Sequence, residues 1–315
     1  MKELRLVFMG TPEFSVFCLK KIVEASYNVV GVVTAPDKPA GRGRKIHESA
    51  VKQFAIENNL PVLQPTNLKD PMFISELKKL NPDVHVVIAF RMLPEMVWKV
   101  PTYGTFNLHA SLLPQYRGAA PINWAIINGE KITGVTTFFI DEKIDTGRIV
   151  LQKSVEISKN ETAGSLHDKL MEEGSSLVIE TLELIEKDKV ESIEQPSIPE
   201  LKSAPKLTKE NTKIDWNQPL DRIYNHIRGL NPYPAAWVGL VNGNDDLDVK
   251  FFEVEKLEEE HSFESGQIII EDKTLKVAHP EGFLIVKEIQ LPGKKRMKTK
   301  ELLNGFKFHW NAKLR

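Results

Sequence analysis

Two polar side chains interrupt the apolar run of Thr105–Pro121 (TFNLHASLLPQYRGAAP): Asn107 and His109, two positions apart. On a strand, residues at that spacing share one face, so an amide and an imidazole stand side by side while Phe106 and Leu108 turn to the core. Downstream, Gly134–Ile140 (GVTTFFI) reads as a strand that empties into Asp141-Glu142-Lys143-Ile144-Asp145-Thr146-Gly147. A carboxylate from that loop can reach back to His109. An amide donates to an oxygen that gains negative charge, an imidazole carries a proton, and a carboxylate supports the imidazole. The three together suit proton transfer beside a developing oxyanion.

The flanking sequence supplies the frame. Leu4–Met9, Val29–Thr34, Pro61–Leu63 and Asp83–Ala89 read as buried strands, with helices at Ala50–Asn58 and Phe73–Leu80. His85 lies inside an apolar strand and reads as a packed core residue. Gly10-Thr11-Pro12-Glu13-Phe14 turns the first strand into a helix, with Thr11 suited to the N-cap and Pro12 to the first helical position. Such a turn can cradle an anion, yet neither GxGxxG nor GxxxxGK[ST] is present, which excludes the dinucleotide and P-loop fingerprints. Strands alternating with helices to about residue 150 predict an α/β fold with a doubly wound, mostly parallel, Rossmann-like sheet. In such sheets ligands bind outside the strand ends, where Phe90–Pro94 and Ser111–Gly118 fall.

Arg148–Ser158 reads as extended, and 162–187 as amphipathic helix with Leu166, Leu170, Leu177 and Leu184 on its apolar side and His167 exposed. The proline-rich 191–206 segment (EQPSIPELKSAPK from Glu194 to Lys206) reads as a linker. Beyond it, short strands at small-barrel spacing predict an open, OB-like β-barrel. The expected domains are therefore 1–190 and 207–315.

Composition bounds the function. The chain is 41% hydrophobic and 27% charged, with a net charge of −1, and no apolar run approaches the ~18 residues of a membrane span. No signal peptide is read at the start, and the single cysteine, Cys18, excludes an internal disulfide and any multi-cysteine metal site. A cytoplasmic enzyme fits, with a monomer as the default. Charge is unevenly spread. The Ala35–Glu48 loop carries Lys38, Arg42, Arg44 and Lys45, and from Lys287 onward Lys294, Lys295 and Arg296 head a run of cations opposed only by Glu288 and Glu301. Basic clusters on a neutral protein mark a phosphate footprint.

The pattern Asn107-x-His109-x-Ser111-Leu-Leu-Pro114, Tyr116-Arg117-Gly118-Ala-Ala-Pro121 and Asp141–Gly147 resembles the folate-dependent formyltransferases, over essentially the whole chain. Within them it is most similar to the branch that acts on initiator methionyl-tRNA. The resemblance implies 10-formyltetrahydrofolate as cosubstrate, tetrahydrofolate as product, an amine as acceptor, and no metal. It implies that Asn107, His109 and Asp145 are the catalytic trio, leaving open whether His109 or Asp145 takes the amine proton. Arg91 (where many relatives carry glycine), Leu93, Ser111, Leu112, Leu113, Pro114 and Asp141 are implied at the folate. Lys38, Arg42, Arg44, Lys45, Lys294, Lys295 and Arg296 are implied at the tRNA. The same trio serves formyltransferases acting on sugar nucleotides, against which the basic PAGRGRK loop and GKKRM segment weigh.

Overall fold

The computed structural model describes residues 3–40 and 45–315. Backbone packing divides the chain into two compact units. One comprises Met1–Gly118, Thr133–Val155 and Asp168–Ser203, the other Ala119–Ile132, Glu156–His167 and Ala204–Arg315.

The first unit is built on a seven-stranded sheet. Across it the strands run Ile149–Glu156, Ile132–Phe139, Thr105–His109, Val84–Ile88, Arg5–Gly10, Asn28–Val33 and Val62–Leu63. The last five pair in parallel, which is the mostly parallel α/β sheet that the alternation predicts. Buried parallel strands read as continuous apolar runs, and Leu6, Val7, Phe8 and Met9 are all fully buried. His85 is fully buried too, its Nδ1 3.3 Å from the Thr105 hydroxyl oxygen. Burial likewise pushes the Cys18 thiol well above its ordinary value.

Local chemistry sets the helix starts. Ser49 caps Ala50–Glu57 by accepting from the Lys52 N–H, and Asp70 caps Pro71–Lys79 by accepting from Met72. The first helix, Glu13–Glu24, differs from expectation: Pro12 is its N-cap and Thr11 stands outside. Proline's extended φ/ψ suits that position, and its carbonyl accepts the Ser15 N–H at 2.9 Å. The Ser15 hydroxyl then donates to the Ile88 carbonyl at 2.7 Å, tying the turn to the neighbouring strand end.

The amphipathic pattern at 162–187 forms one helix, Ala163–Glu186. Leu166, Leu170 and Leu177 are buried as read. Leu182 and Ile185 take the inner positions near its end, leaving Leu184 and His167 half-buried. Gly174 lies against the strand that carries the polar pair: a Cβ there would meet Leu108 Cδ2 at 2.8 Å. The basic loop is not wholly irregular, because Lys38–Ala40 and Lys45–His47 pair as a short antiparallel hairpin.

In the second unit the strands are antiparallel, in sheets of five and four. They share a core in which Val238, Val249, Phe251, Val277 and Leu284 meet Ile223 and Ile227 of the Leu220–Leu230 helix. Among the described residues no helix is long and apolar enough to cross a membrane.

Candidate active site

The strands Arg5–Gly10, Val84–Ile88 and Thr105–His109 end at one edge of the sheet, with Gly10 opposite Ile88 and Ile88 opposite Leu108. Phe106 and Leu108 are buried, as alternation requires, and Asn107 is half-buried. Among the described residues the Asn107 amide has no hydrogen-bond partner, so its N–H₂ is available to a ligand oxygen. His109 is 7% exposed and fixed at one nitrogen: Nε2 lies 2.8 Å from the main-chain carbonyl oxygen of Tyr116.

Asp145 arrives from an unexpected direction. The Ile132–Phe139 strand runs antiparallel to Thr105–His109, with Thr136 opposite His109 and Phe139 opposite Phe106. The chain therefore leaves this strand beside Thr105, whose carbonyl accepts the Ile140 N–H. To meet His109 it must fold back over the face that carries the polar pair. It does so with Asp145 itself at φ 55°, a left-handed conformation that costs a non-glycine residue about 1 kcal/mol or more. The result puts Asp145 Oδ2 3.9 Å from His109 Nδ1 and 2.9 Å from the Gly118 N–H, which donates to it. Gly147 closes the turn where no side chain fits, since a Cβ would lie 1.7 Å from the Phe139 carbonyl oxygen.

The other residues expected at the folate are more dispersed. In the Ser111–Pro114 loop the backbone groups are partly engaged within the protein. Thr136 donates to the Ser111 carbonyl at 2.6 Å and accepts from the Leu113 N–H at 3.2 Å, and Gln152 donates to the Leu113 carbonyl at 2.8 Å. Leu112 packs beneath Gly134, where a Cβ would meet its Cδ2 at 2.6 Å. Asp141 is exposed and turns onto its own loop, accepting from the Lys143 N–H and the Thr146 hydroxyl. Arg91 donates to the carbonyls of Thr66 and Pro65. Together with Leu93 it lines a cavity of about 910 Å³ walled by Leu68, Met92 and Met96, and the trio does not line that cavity.

Of the basic positions, Lys38 is exposed, Lys45 falls in the hairpin, and Arg42 and Arg44 lie outside the described residues. Lys294 and Lys295 are exposed. Arg296 is instead engaged. It pairs with Glu288, reaches Asn231 Oδ1 at 3.4 Å and stacks over the Phe252 ring at 4.4 Å. No cluster of three or more His, Cys, Asp or Glu able to hold a metal occurs among the described residues.

Three contributors escaped the sequence reading. Tyr116 supplies the carbonyl that orients His109, Gly118 the N–H that holds Asp145, and Gln195 donates to the Asp145 and Gly147 carbonyls. The first two act through their backbone, which residue type does not advertise. Gln195 lies in a segment whose prolines concealed any pattern.

Comparison with known proteins gives the family. A formyl transferase family model matches residues 4–182, and a formyl transferase C-terminal domain model matches 206–307. The class is thus that of the formyl transferases. A Flavobacterium johnsoniae methionyl-tRNA formyltransferase is 57% identical over 314 residues, covering all of both chains. The Bacteroides thetaiotaomicron methionyl-tRNA formyltransferase is 54% identical, covering 97% of each. The chain belongs to the methionyl-tRNA formyltransferase family. Among solved structures, an N-formyltransferase from Helicobacter canadensis, in complex with folinic acid and dTDP-3-aminofucose, is similar in fold. Its TM-score is 0.67 at 21% identity, over 90% of this chain and 98% of that one. HypX from Aquifex aeolicus in complex with tetrahydrofolic acid gives a TM-score of 0.66 at 19% identity. That match takes in 96% of this chain, which spans about half the length of HypX.

Proposed function

We propose that this protein transfers the formyl group of 10-formyltetrahydrofolate to the α-amino group of initiator methionyl-tRNA, in the cytoplasm and without a metal. The observation that carries the reading is the convergence of Asn107, His109 and Asp145 in a chain with full-length relatives of that name. In the reaction the bond from the formyl carbon to the folate N10 breaks and one to the amine forms. The amine gives up a proton and N10 gains one. The cosubstrate supplies an activated formyl group, and the residues present suit it: an amide with no partner among the described residues, an imidazole and a carboxylate.

Asn107 donates to the formyl oxygen as negative charge develops there, the usual work of an oxyanion donor. His109 Nδ1 and Asp145 Oδ2 face each other and receive the amine proton between them. Arg91, Leu93, Ser111–Pro114 and Asp141 are proposed along the folate, and Lys38, Arg42, Arg44, Lys45, Lys294, Lys295 and Arg296 at the tRNA phosphates.

The test is formyl transfer from 10-formyltetrahydrofolate to charged initiator and elongator methionyl-tRNA, read as formylmethionine released after deacylation. Transfer that favours the initiator is expected. No transfer to either tRNA, with turnover of an amino-sugar nucleotide, overturns the reading.

A further inference from the structure

The amide of Gln195 is fully used, and each of its bonds bears on the position of Asp145. Its nitrogen donates to the carbonyl oxygens of Asp145 and Gly147, both at 2.9 Å. Its oxygen accepts from Arg117 Nε at 3.1 Å and from a second guanidinium nitrogen at 2.6 Å. A primary amide has two N–H donors and two acceptor sites, so nothing is left over for solvent. The guanidinium polarises the amide it grips, which strengthens the two bonds on the far side.

The register of this clamp is set by the backbone. Ile193 pairs antiparallel with Ile149, exchanging both N–H···O bonds at 2.8 and 2.9 Å. Two residues further along one chain and two back along the other, Gln195 comes opposite Gly147. The loop it holds is not one that would keep its shape unaided: Asp145 is left-handed, Gly147 is wedged on Phe139, and the carboxylate itself is held by the Gly118 N–H.

We propose that Gln195 is a positioning residue for formyl transfer. By pinning the main chain on both sides of Thr146, it sets the distance between the Asp145 carboxylate and His109. This rests on the function proposed above. It adds a fourth side chain, from a different part of the chain, to a site otherwise built from two strands and their loops.

Two substitutions separate this from a merely structural role. Gln195→Leu removes the whole clamp. Gln195→Glu keeps, and strengthens, the bond to Arg117 while setting a carboxylate against the Asp145 and Gly147 carbonyls. Misplacing a reacting group by about 1 Å can cost about 10²-fold in rate. Both variants are therefore expected to lose on the order of 10²-fold in kcat, with KM for folate and tRNA held and folded fraction by circular dichroism unchanged. Neither should lower the rate further when Asp145 is already Asn, because the clamp acts through that carboxylate. Crystal structures of the variants should show the Nδ1–Oδ2 separation widened from 3.9 Å.

Wild-type kcat in Gln195→Glu overturns the proposal, since the Arg117 bond alone would then suffice. So does an equal loss in the Asp145→Asn background, or an unchanged separation in the crystal. If the wild-type protein transfers no formyl group at all, the functional reading fails, while the crystallographic distance still decides the clamp.

Discussion

His109 Nε2 lies 2.8 Å from the Tyr116 carbonyl oxygen, and a carbonyl can only accept. The neutral ring therefore carries its proton on Nε2 and turns a bare Nδ1 toward Asp145 Oδ2, 3.9 Å away. Two acceptors face each other across a gap too long for a hydrogen bond between them. An N–H of an incoming amine can sit in that gap and donate to either. Nitrogen-15 NMR of the imidazole should report the Nε2–H tautomer at a pH where the ring is neutral. An Nδ1–H ring would mean that the substrate amine meets a different base.

Asp145→Asn keeps the size of the side chain and an oxygen for the Gly118 N–H, yet removes the negative charge that faces His109. General acid–base groups are worth about 10²–10⁴-fold in rate. The variant should lose a factor in that range in kcat while its melting temperature stays near that of the wild type. A loss confined to KM would assign Asp145 to binding.

The Asn107 amide has no hydrogen-bond partner among the described residues. Asn107→Ala should lower kcat by about 10²–10³-fold, the usual effect of removing an oxyanion donor. Steady-state kinetics with each substrate varied in turn are the check, and a retained kcat excludes that role.

His85 bears on acid stability rather than chemistry. Burial pushes its pKa down to about 3, from an ordinary value of 6.5. Between these two values the unfolded chain binds the extra proton, so stability rises with pH there and is lost as pH falls from 6.5 toward 3. The contribution is complete above that window, and its slope is at most about 1.4 kcal/mol per pH unit. Urea unfolding of His85→Leu at several pH values should show that part of the acid slope gone. An unchanged slope would mean that His85 does not titrate on unfolding.

Much of the site could be read from residue order because its logic is local. Alternation put Asn107 and His109 on one face, and the Gly-terminated loop after a β-branched strand announced a carboxylate near them. The direction of the Ile132–Phe139 strand was less visible, since β-branched residues favour strands of either sense. Gln195 and the Ile193–Ile149 bridge depend on pairing across some forty residues, which no local pattern encodes. Charge counting marked Arg296 as part of a basic cluster, and could not show that Glu288 and the Phe252 ring engage it. Thr11 likewise has the right chemistry for a cap, and the fold uses Pro12 instead.

Gly174 sits inside a helix, where glycine costs about 1 kcal/mol relative to alanine. The close approach of Leu108 explains why nothing larger stands there. Leu108 lies between Asn107 and His109 in the chain, so a methyl group added at Gly174 would press on the reverse side of the reacting pair. This helix position faces no substrate, yet it offers a natural locus for temperature-sensitive alleles, whose product would retain its secondary structure while its chemistry slipped out of alignment.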